Sequence, residues 1–276
     1  MNQSKTMFFP PKKILDALMI VLGTFILANF LLFVFTGPND VGVDSQWLYN
    51  VYLGGSGGVA TYWYEEKIWV ESITYCEKIF CSVVMKTNPT HFHTSYVTGD
   101  NHLVKSTIID KEYGTTYEIS YSPPLLLRPE SLSVGDTWRG NTVVKVRTTA
   151  GELVREESHT ISGVESKVVD RLVLSGSRGT VEAFLIEEWT RGVLTRRSVY
   201  SPALHQEIRY EIPVSMAWGE LVDVSLRQPS VFDFFRIRMF LGLELAHVFV
   251  AFLVLAFLRL AKSMGLIVSE ERKNTP

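Results

Sequence analysis

The sequence predicts a mainly β protein, in which an antiparallel curved sheet or open barrel is inserted between two transmembrane α-helices. One apolar run lies near each end of the 276-residue chain, and each is long enough to cross the ~30 Å hydrocarbon layer as a helix. Between the two runs, short segments rich in β-branched and aromatic residues alternate with turn signals that contain Gly, Pro, Asn and Asp. That alternation is typical of one antiparallel β domain.

The first apolar run extends from Ala17 to Thr36 and follows three lysines, Lys5, Lys12 and Lys13. A cleaved signal peptide would have a shorter apolar region and a small-x-small cleavage site, which the aromatic end of this run lacks. We therefore expect an uncleaved transmembrane helix at residues 14–36, after a cytoplasmic tail of residues 1–13. The lysines favour a cytoplasmic N-terminus, because positive charge is retained on that side.

Residues 37–230 form the predicted extracytoplasmic β domain, whose strands are short and separated by turns. The clearest hairpin joins Ala183–Trp189 to Leu194–Tyr200 through a turn that contains Gly192. Other segments with strand character are residues 60–64, 67–70, 82–85, 106–109, 116–121, 142–146 and 205–212.

The second apolar run extends from Met239 to Leu258 and has basic residues on both sides. We expect a juxtamembrane segment and a second transmembrane helix within residues 231–261, followed by a cytoplasmic tail of residues 262–276. Glu244 and His247 lie inside this run and share one helix face. Because ionisable groups are costly in hydrocarbon, the pair indicates a partner contact inside the membrane, although Glu244 could instead lie at the interface.

Two cysteines, Cys76 and Cys81, flank a short loop between predicted strands. Outside the cytoplasm such a pair favours a disulfide. The alternative is a metal site that recruits His91 and His93, which point to the same face of a strand, with His102 one loop away. An exposed strand face explains the two histidines equally well, so the sequence predicts no cofactor.

Several motifs follow one another in the second half of the domain. They are Leu-Ser-Val-Gly-Asp-Thr-Trp at residues 132–138, Ile-Ser-Gly-Val-Glu at 161–165, the segment 183–189, and the pair 200–204 and 208–210. Over residues 105–212 this order resembles extracytoplasmic open-barrel proteins related to lipoprotein carriers. His205 stands where that group often has Gly. The resemblance implies an apolar concave face that holds a lipid or acyl chain near the membrane. It implies no catalytic residues.

The chain carries 27 basic and 29 acidic residues, and the acidic excess lies in the central domain. A nucleic-acid partner is therefore not expected. Phosphate-binding glycine loops, nucleophile elbows and zinc-protease motifs are absent from the sequence, so we expect no enzyme. The only Asn-x-Thr in the outer domain contains Pro89, which favours a prokaryotic source.

These observations favour a two-pass protein of the plasma (cytoplasmic) membrane with both termini in the cytoplasm. Two helices do not form a transport core, and the tail of residues 262–276 is too short for a signalling output domain. We expect a non-catalytic accessory or scaffold subunit that contacts the lipid bilayer and other membrane subunits. The alternative is a membrane-tethered binding protein for a lipid or another apolar ligand.

Overall fold

The computed structural model describes residues 12–37, 41–54, 60–76, 79–176, 179–239 and 243–264. The chain divides into two compact units, of which one comprises residues 36–233 and the other comprises the two ends of the chain. The central unit is β structure, and the end unit contains two helices.

Twelve strands form the central unit, and each is antiparallel to its neighbours in the sheet. Their bounds are β1 (Gln46–Leu53), β2 (Thr61–Cys76), β3 (Ile79–Thr87), β4 (His91–Thr98), β5 (His102–Asp110), β6 (Thr116–Leu126), β7 (Thr137–Ala150), β8 (Leu153–Gly176), β9 (Gly179–Thr190), β10 (Val193–Ser201), β11 (Gln206–Ile212) and β12 (Ala217–Ser225). Single 3-10 turns, Pro202–Leu204 and Pro213–Ser215, connect β10 to β11 and β11 to β12.

The sheet closes on itself because β1 pairs with β2 on one side and with β12 on the other. Tyr49 of β1 lies opposite Glu66 of β2 and also opposite Leu221 of β12. The predicted curved antiparallel sheet is confirmed, but the barrel is closed and not open. Closure pairs the backbone N–H and C=O groups that an open barrel would leave unpaired at its two edge strands.

Strand alternation explains which residues lie inside the barrel. In β1, Trp47, Tyr49 and Val51 are buried, while the residues between them are more exposed. β7 shows the same period of two, with Trp138 and Val144 among its buried residues. The sequence pattern did not predict β1 or β12, and it divided β2 into two separate strands.

Both connections to the chain ends leave the barrel at one end, which is called the connector end. The opposite end is called the far end. At the connector end the incoming and outgoing segments are hydrogen-bonded, since Gly42 N donates to Arg227 O at 2.8 Å and Arg227 N donates to Ser45 Oγ at 2.8 Å. A Cβ on Gly42 would lie 2.7 Å from the carbonyl oxygen of Gln228, so the close approach requires glycine.

The end unit contains α1 (Lys12–Thr36) and α2 (Leu245–Ser263), which pack antiparallel. Asp16 of α1 pairs with Arg259 of α2 at 2.9 Å. About two helical turns further along α1, a Cβ on Gly23 would lie 3.4 Å from the ring of Phe252. Both helices are long and apolar enough to cross a membrane. Insertion into a membrane remains a prediction, and so do the tails, of which residues 1–11 and 265–276 lie outside the described residues.

α2 begins six residues later than the apolar run from which it was predicted. A 3-10 segment, Val231–Arg236, and a two-residue strand, β13 (Ile237–Arg238), precede it. Arg238 forms a backbone bridge with Glu244, and Met239 N donates to Leu243 O at 2.7 Å. Met239 and Leu243 therefore belong to a non-helical connection, and Glu244 is the residue immediately before the helix.

Candidate functional site

The candidate site is the interior of the barrel, which contains a central charged cluster and a cavity on either side of it. An eight-stranded barrel is just wide enough for its own side chains to fill, and diameter grows with strand number. Twelve strands therefore enclose more space than core packing needs. The side chains that occupy the middle of this space are polar and charged.

Glu66 of β2 is the most buried charge in the described interior, with 2% of its surface exposed. Lys86 Nζ of β3 lies 2.7 Å from its carboxylate, and the hydroxyl of Tyr210 from β11 donates to it at 3.4 Å. A buried carboxylate is tolerated only when it is paired and hydrogen-bonded. These contacts join β2 to its neighbour β3 and to β11, which is three strands away in the closed sheet.

A second ion pair, between Arg196 of β10 and Glu207 of β11, continues the cluster. Burial opposes both charges, but each partner outweighs it, so the pKa of Arg196 is raised and the pKa of Glu207 is lowered. The Arg196 guanidinium lies 4.6 Å from the ring centroid of Tyr210, which connects the two pairs. The hydroxyl of Tyr49 donates to the carbonyl oxygen of Glu207 at 2.5 Å. Burial raises the pKa of Tyr49, and the negative charge of Glu207 raises it further.

Gly219 of β12 makes room for this cluster. A Cβ at Gly219 would lie 2.5 Å from two ring atoms of Tyr210. Any side chain there would displace Tyr210 from Glu66. A glycine within a strand often marks such a close approach, and that signal in the sequence could have identified this position.

The larger of these two interior cavities, of about 510 Å³, opens at the far end. Polar side chains line it from β3, β4 and the turn between them, whereas the side chains from β5 and β6 are mostly apolar. The lining residues are Lys86, Asn88, His91, His93, Ile108, Asp110, Tyr117 and Ile119.

The structure brings His91 and His93 together in this far-end cavity. His91 Nε2 lies 3.8 Å from Asp110 Oδ2, and His93 Nε2 lies 3.2 Å from the hydroxyl of Ser95. Burial lowers the pKa of His93, and the neighbouring charges of Lys86 and His91 act in the same direction. His93 is therefore held in the neutral form to lower pH than an exposed histidine.

His102 and the cysteines lie elsewhere. His102 is the first residue of β5, at the connector end, where its Nδ1 lies 3.1 Å from Asp100 Oδ2 in the preceding turn. Cys76 and Cys81 form a disulfide that closes the β2–β3 hairpin, also at the connector end. The predicted disulfide is therefore present, and the proposed histidine set is not assembled. Within the described residues, no three side chains of metal-ligand type form a group that could hold an ion.

A smaller cavity, of about 190 Å³, lies at the connector end. Its walls are mostly apolar, and one guanidinium, that of Arg128, reaches it. Arg128 lies 3.3 Å from the ring centroid of Tyr200. The apolar lining residues are Val41, Trp47, Val70, Val84, Val97, Leu127 and Tyr200.

Glu244 and His247 form a local contact at the start of α2. The backbone N–H of Glu244 donates to His247 Nδ1 at 3.2 Å, and the arrangement is a capping box. Such a box satisfies N–H groups that have no partner within the helix. The pair thus has an intramolecular role, and its predicted contact with another subunit remains a prediction.

No protein-family model matches the chain, and no curated protein matches it. Among solved structures, the hypothetical lipoprotein YmcC from Escherichia coli is 10% identical, with 69% of this chain and 89% of that chain covered and a TM-score of 0.30. A protein with a YmcC-like fold from Bacteroides fragilis is 10% identical, with 68% and 97% covered and a TM-score of 0.33.

A DUF1329 family protein from Desulfovibrio piger is 12% identical, with 87% of this chain and 98% of that chain covered and a TM-score of 0.25. At these TM-scores the likenesses support no conclusion about this chain. The antiparallel barrel is established by its own strand pairing, and the predicted relation to lipoprotein carriers stays a prediction.

Proposed function

We propose that the protein is a membrane-tethered binding protein whose far-end cavity holds an amphiphilic ligand. The observation that supports this proposal is the composition of the cavity. Ile108, Tyr117 and Ile119 provide an apolar wall, and Lys86 and Asp110 provide charged groups within the same 510 Å³ space. Binding sites for small molecules have volumes of about 300–1,000 Å³ and combine apolar walls with a few polar groups.

Of the two ligand types expected from the sequence, a lipid or another apolar ligand, an amphiphile such as a lipid fits this lining better than a ligand without a polar group. A hydrocarbon that filled the cavity would remove water from Lys86, His91 and Asp110 without replacing its hydrogen bonds. Burial of a polar group without a compensating bond costs roughly 1–3 kcal/mol per group in proteins. A polar headgroup beside these residues avoids that cost, while its apolar part contacts the side chains from β5 and β6.

Two neighbouring residues of β5 provide a matched test of this function. Ile108 lines the cavity, whereas Ile109 points outwards and is 39% exposed. We expect the full chain, purified in native-lipid nanodiscs, to retain a bound small amphiphile that native mass spectrometry detects. Ile108→Trp should remove that mass, and Ile109→Trp should leave it unchanged. A ligand-free wild-type protein, or equal occupancy of both variants, would contradict the proposal.

The proposal includes a two-pass topology in which both termini are cytoplasmic and residues 37–230 lie outside. It is supported by two helices that are long and apolar enough to cross a membrane, and by an N-terminus with three lysines. Asn274→Cys should be inaccessible to a membrane-impermeant thiol reagent in intact cells and accessible after lysis. Labelling of that cysteine in intact cells would refute the topology.

A second candidate is a non-catalytic accessory subunit of a membrane assembly. It is favoured by apolar side chains on the far-end turns and the adjoining strand ends, which are each at least half exposed: Trp63, Tyr113, Leu153, Val214 and Met216. Exposed apolar patches often mark protein contacts. If this candidate is correct, replacing Val214 and Met216 with Ser should lower the yield of crosslinking to a partner subunit. The occupancy of the far-end cavity should stay unchanged.

A further inference from the structure

The connector-end cavity has a lining distinct from that of the far-end cavity. The central cluster of Glu66, Tyr210, Arg196 and Glu207 lies in the barrel interior between the two. The apolar part of its wall consists of valine side chains from β2, β3 and β4 together with Trp47 and Tyr200, and the polar part includes Ser82, Thr98, Asn101, His205 and Gln206. The indole of Trp47 donates to the carbonyl of Leu204 at 2.9 Å, so its polar atom is already satisfied and its ring forms a fixed apolar wall.

Arg128 has an unused donor at this cavity. Its Nε is buried and has no hydrogen-bond partner among the described residues. Its guanidinium is stacked on the ring of Tyr200 at 3.3 Å, which fixes the plane of the group. A buried N–H without a partner is costly, and an arginine held flat by an aromatic ring presents the edge that binds carboxylates.

The charges around Arg128 leave room for one more anion. Glu207 has Arg196 as its ion-pair partner. Glu188 interacts electrostatically with both Arg196 and Arg128, but burial raises its pKa and therefore disfavours its charged form. Whenever Glu188 is neutral, two guanidinium groups face one carboxylate and the group carries a net positive charge.

We propose that the connector-end cavity is a second binding site, which takes a small carboxylate with a short hydrocarbon chain. Arg128 binds the carboxylate, and the chain lies among Val70, Val84 and Val97. A volume of about 190 Å³ admits a short chain and excludes a complete membrane lipid. An engineered apolar cavity of roughly 150 Å³ in another protein binds a molecule the size of benzene, which shows that a space of this size is sufficient.

The proposal is tested by calorimetry with hexanoate on the full chain in lipid nanodiscs, with empty nanodiscs as the reference. Acetate and 1-hexanol serve as probes that lack the chain and the charge, respectively. We expect saturable binding of hexanoate, and binding at least tenfold weaker for both acetate and hexanol. The charge-assisted hydrogen bond accounts for a difference of about this size from hexanol, and burial of the hydrocarbon chain accounts for the difference from acetate.

Three variants identify the site. Arg128→Met should weaken hexanoate binding about tenfold or more, and Val84→Phe should abolish it by filling the cavity. Arg139→Met is the matched control, because Arg139 is exposed and pairs with Glu165 on the outer face of the barrel. It should leave binding unchanged.

Hexanoate binding that survives both Arg128→Met and Val84→Phe would overturn the proposal, as would equal binding of hexanoate and hexanol. Failure of the wild-type protein to bind hexanoate at millimolar concentration would also overturn it. The Ile108→Trp variant separates this site from the far-end cavity, because it should empty the far-end cavity and leave the affinity for hexanoate unchanged. The two proposals can therefore fail independently.

Discussion

Individual residues determine whether the barrel interior can hold charge. Glu66 is almost completely buried, and the side chain of its partner Lys86 is 37% exposed at the border of the far-end cavity. The lysine therefore has two roles: it pairs with the carboxylate of Glu66, and it lines the far-end cavity. Tyr210 provides the remaining contact, and it can do so only because residue 219 is glycine.

The first prediction is that Lys86→Met destabilises the barrel because it leaves the carboxylate of Glu66 buried without its counter-charge. Removing one partner of a fully buried pair costs about 3–5 kcal/mol, and we expect roughly 1–3 kcal/mol here because solvent screens the lysine. Chemical unfolding of the purified protein, followed by tryptophan fluorescence, measures the loss.

Its control is the double variant Lys86→Met with Glu66→Gln, in which the remaining amide is neutral and can still accept from Tyr210. The double variant should recover most of the lost stability. Lys105→Met, on the outer face over Tyr96, should change stability by less than about 0.5 kcal/mol. Equal losses in the Lys86 and Lys105 single variants would contradict the role given to the buried pair.

The elements show how local chemistry sets boundaries that hydropathy alone misplaces. The apolar run from Met239 continues into α2 without a change in composition, but the helix starts only after Glu244. Glu244 and His247 therefore lie at the first turn of the helix and not in its middle. Their sequence spacing, three residues apart, is the spacing of a capping box as well as that of a shared helix face.

The second prediction separates these two roles. Replacing Glu244 and His247 with Leu removes both the cap and the polar groups, whereas Glu244→Ser with His247→Gln keeps a capping box and removes the original charges. If the pair only caps the helix, the Leu variant should lose about 0.5–2 kcal/mol of stability and the Ser/Gln variant should not.

A contact with another subunit would produce a different result. Crosslinking to a partner would then decrease in both variants, including the one that keeps the cap. Unchanged crosslinking in the Ser/Gln variant would refute the predicted partner contact. Thermal unfolding and crosslinking yield are measured on the same preparations.

At the scale of the whole molecule, closure of the barrel makes the first and last strands neighbours. Gln46 of β1 lies opposite Ser225 of β12, and the hydrogen bonds of Gly42 and Ser45 with Arg227 secure the same junction. The twelve strands thus have no free edge. The connector-end cavity follows from this closure, because residues of β1 to β4 line it together with residues of β10 and β11.

The third prediction concerns hydrogen exchange in β1. Because β1 has a neighbour on each side, successive amides from Trp47 to Tyr52 should all exchange as slowly as those in the middle of the sheet. In an open barrel every second amide of an edge strand would point to solvent and exchange quickly. Fast exchange at alternate positions of β1 would refute closure, and Gly151 in a far-end turn provides the fast reference.

The sequence by itself determined the features that depend on neighbouring residues. Strand period and turn signals identified a β domain, the length of the apolar runs identified two helices, and the short spacing of Cys76 and Cys81 identified the disulfide. The i, i+2 spacing placed His91 and His93 on one face. Each of these properties is fixed within a few residues by backbone geometry.

Only the tertiary structure decided which distant residues meet. Closure of the barrel joins residue 46 to residue 225, and the pairing of Glu66 with Tyr210 joins positions 144 residues apart. No local pattern encodes such contacts, because they depend on the number of strands and their register. For the same reason His102 was grouped with His91 and His93 in the sequence, although it begins β5 at the opposite end of the barrel. Arg128 lines a cavity only because the barrel closes around that space.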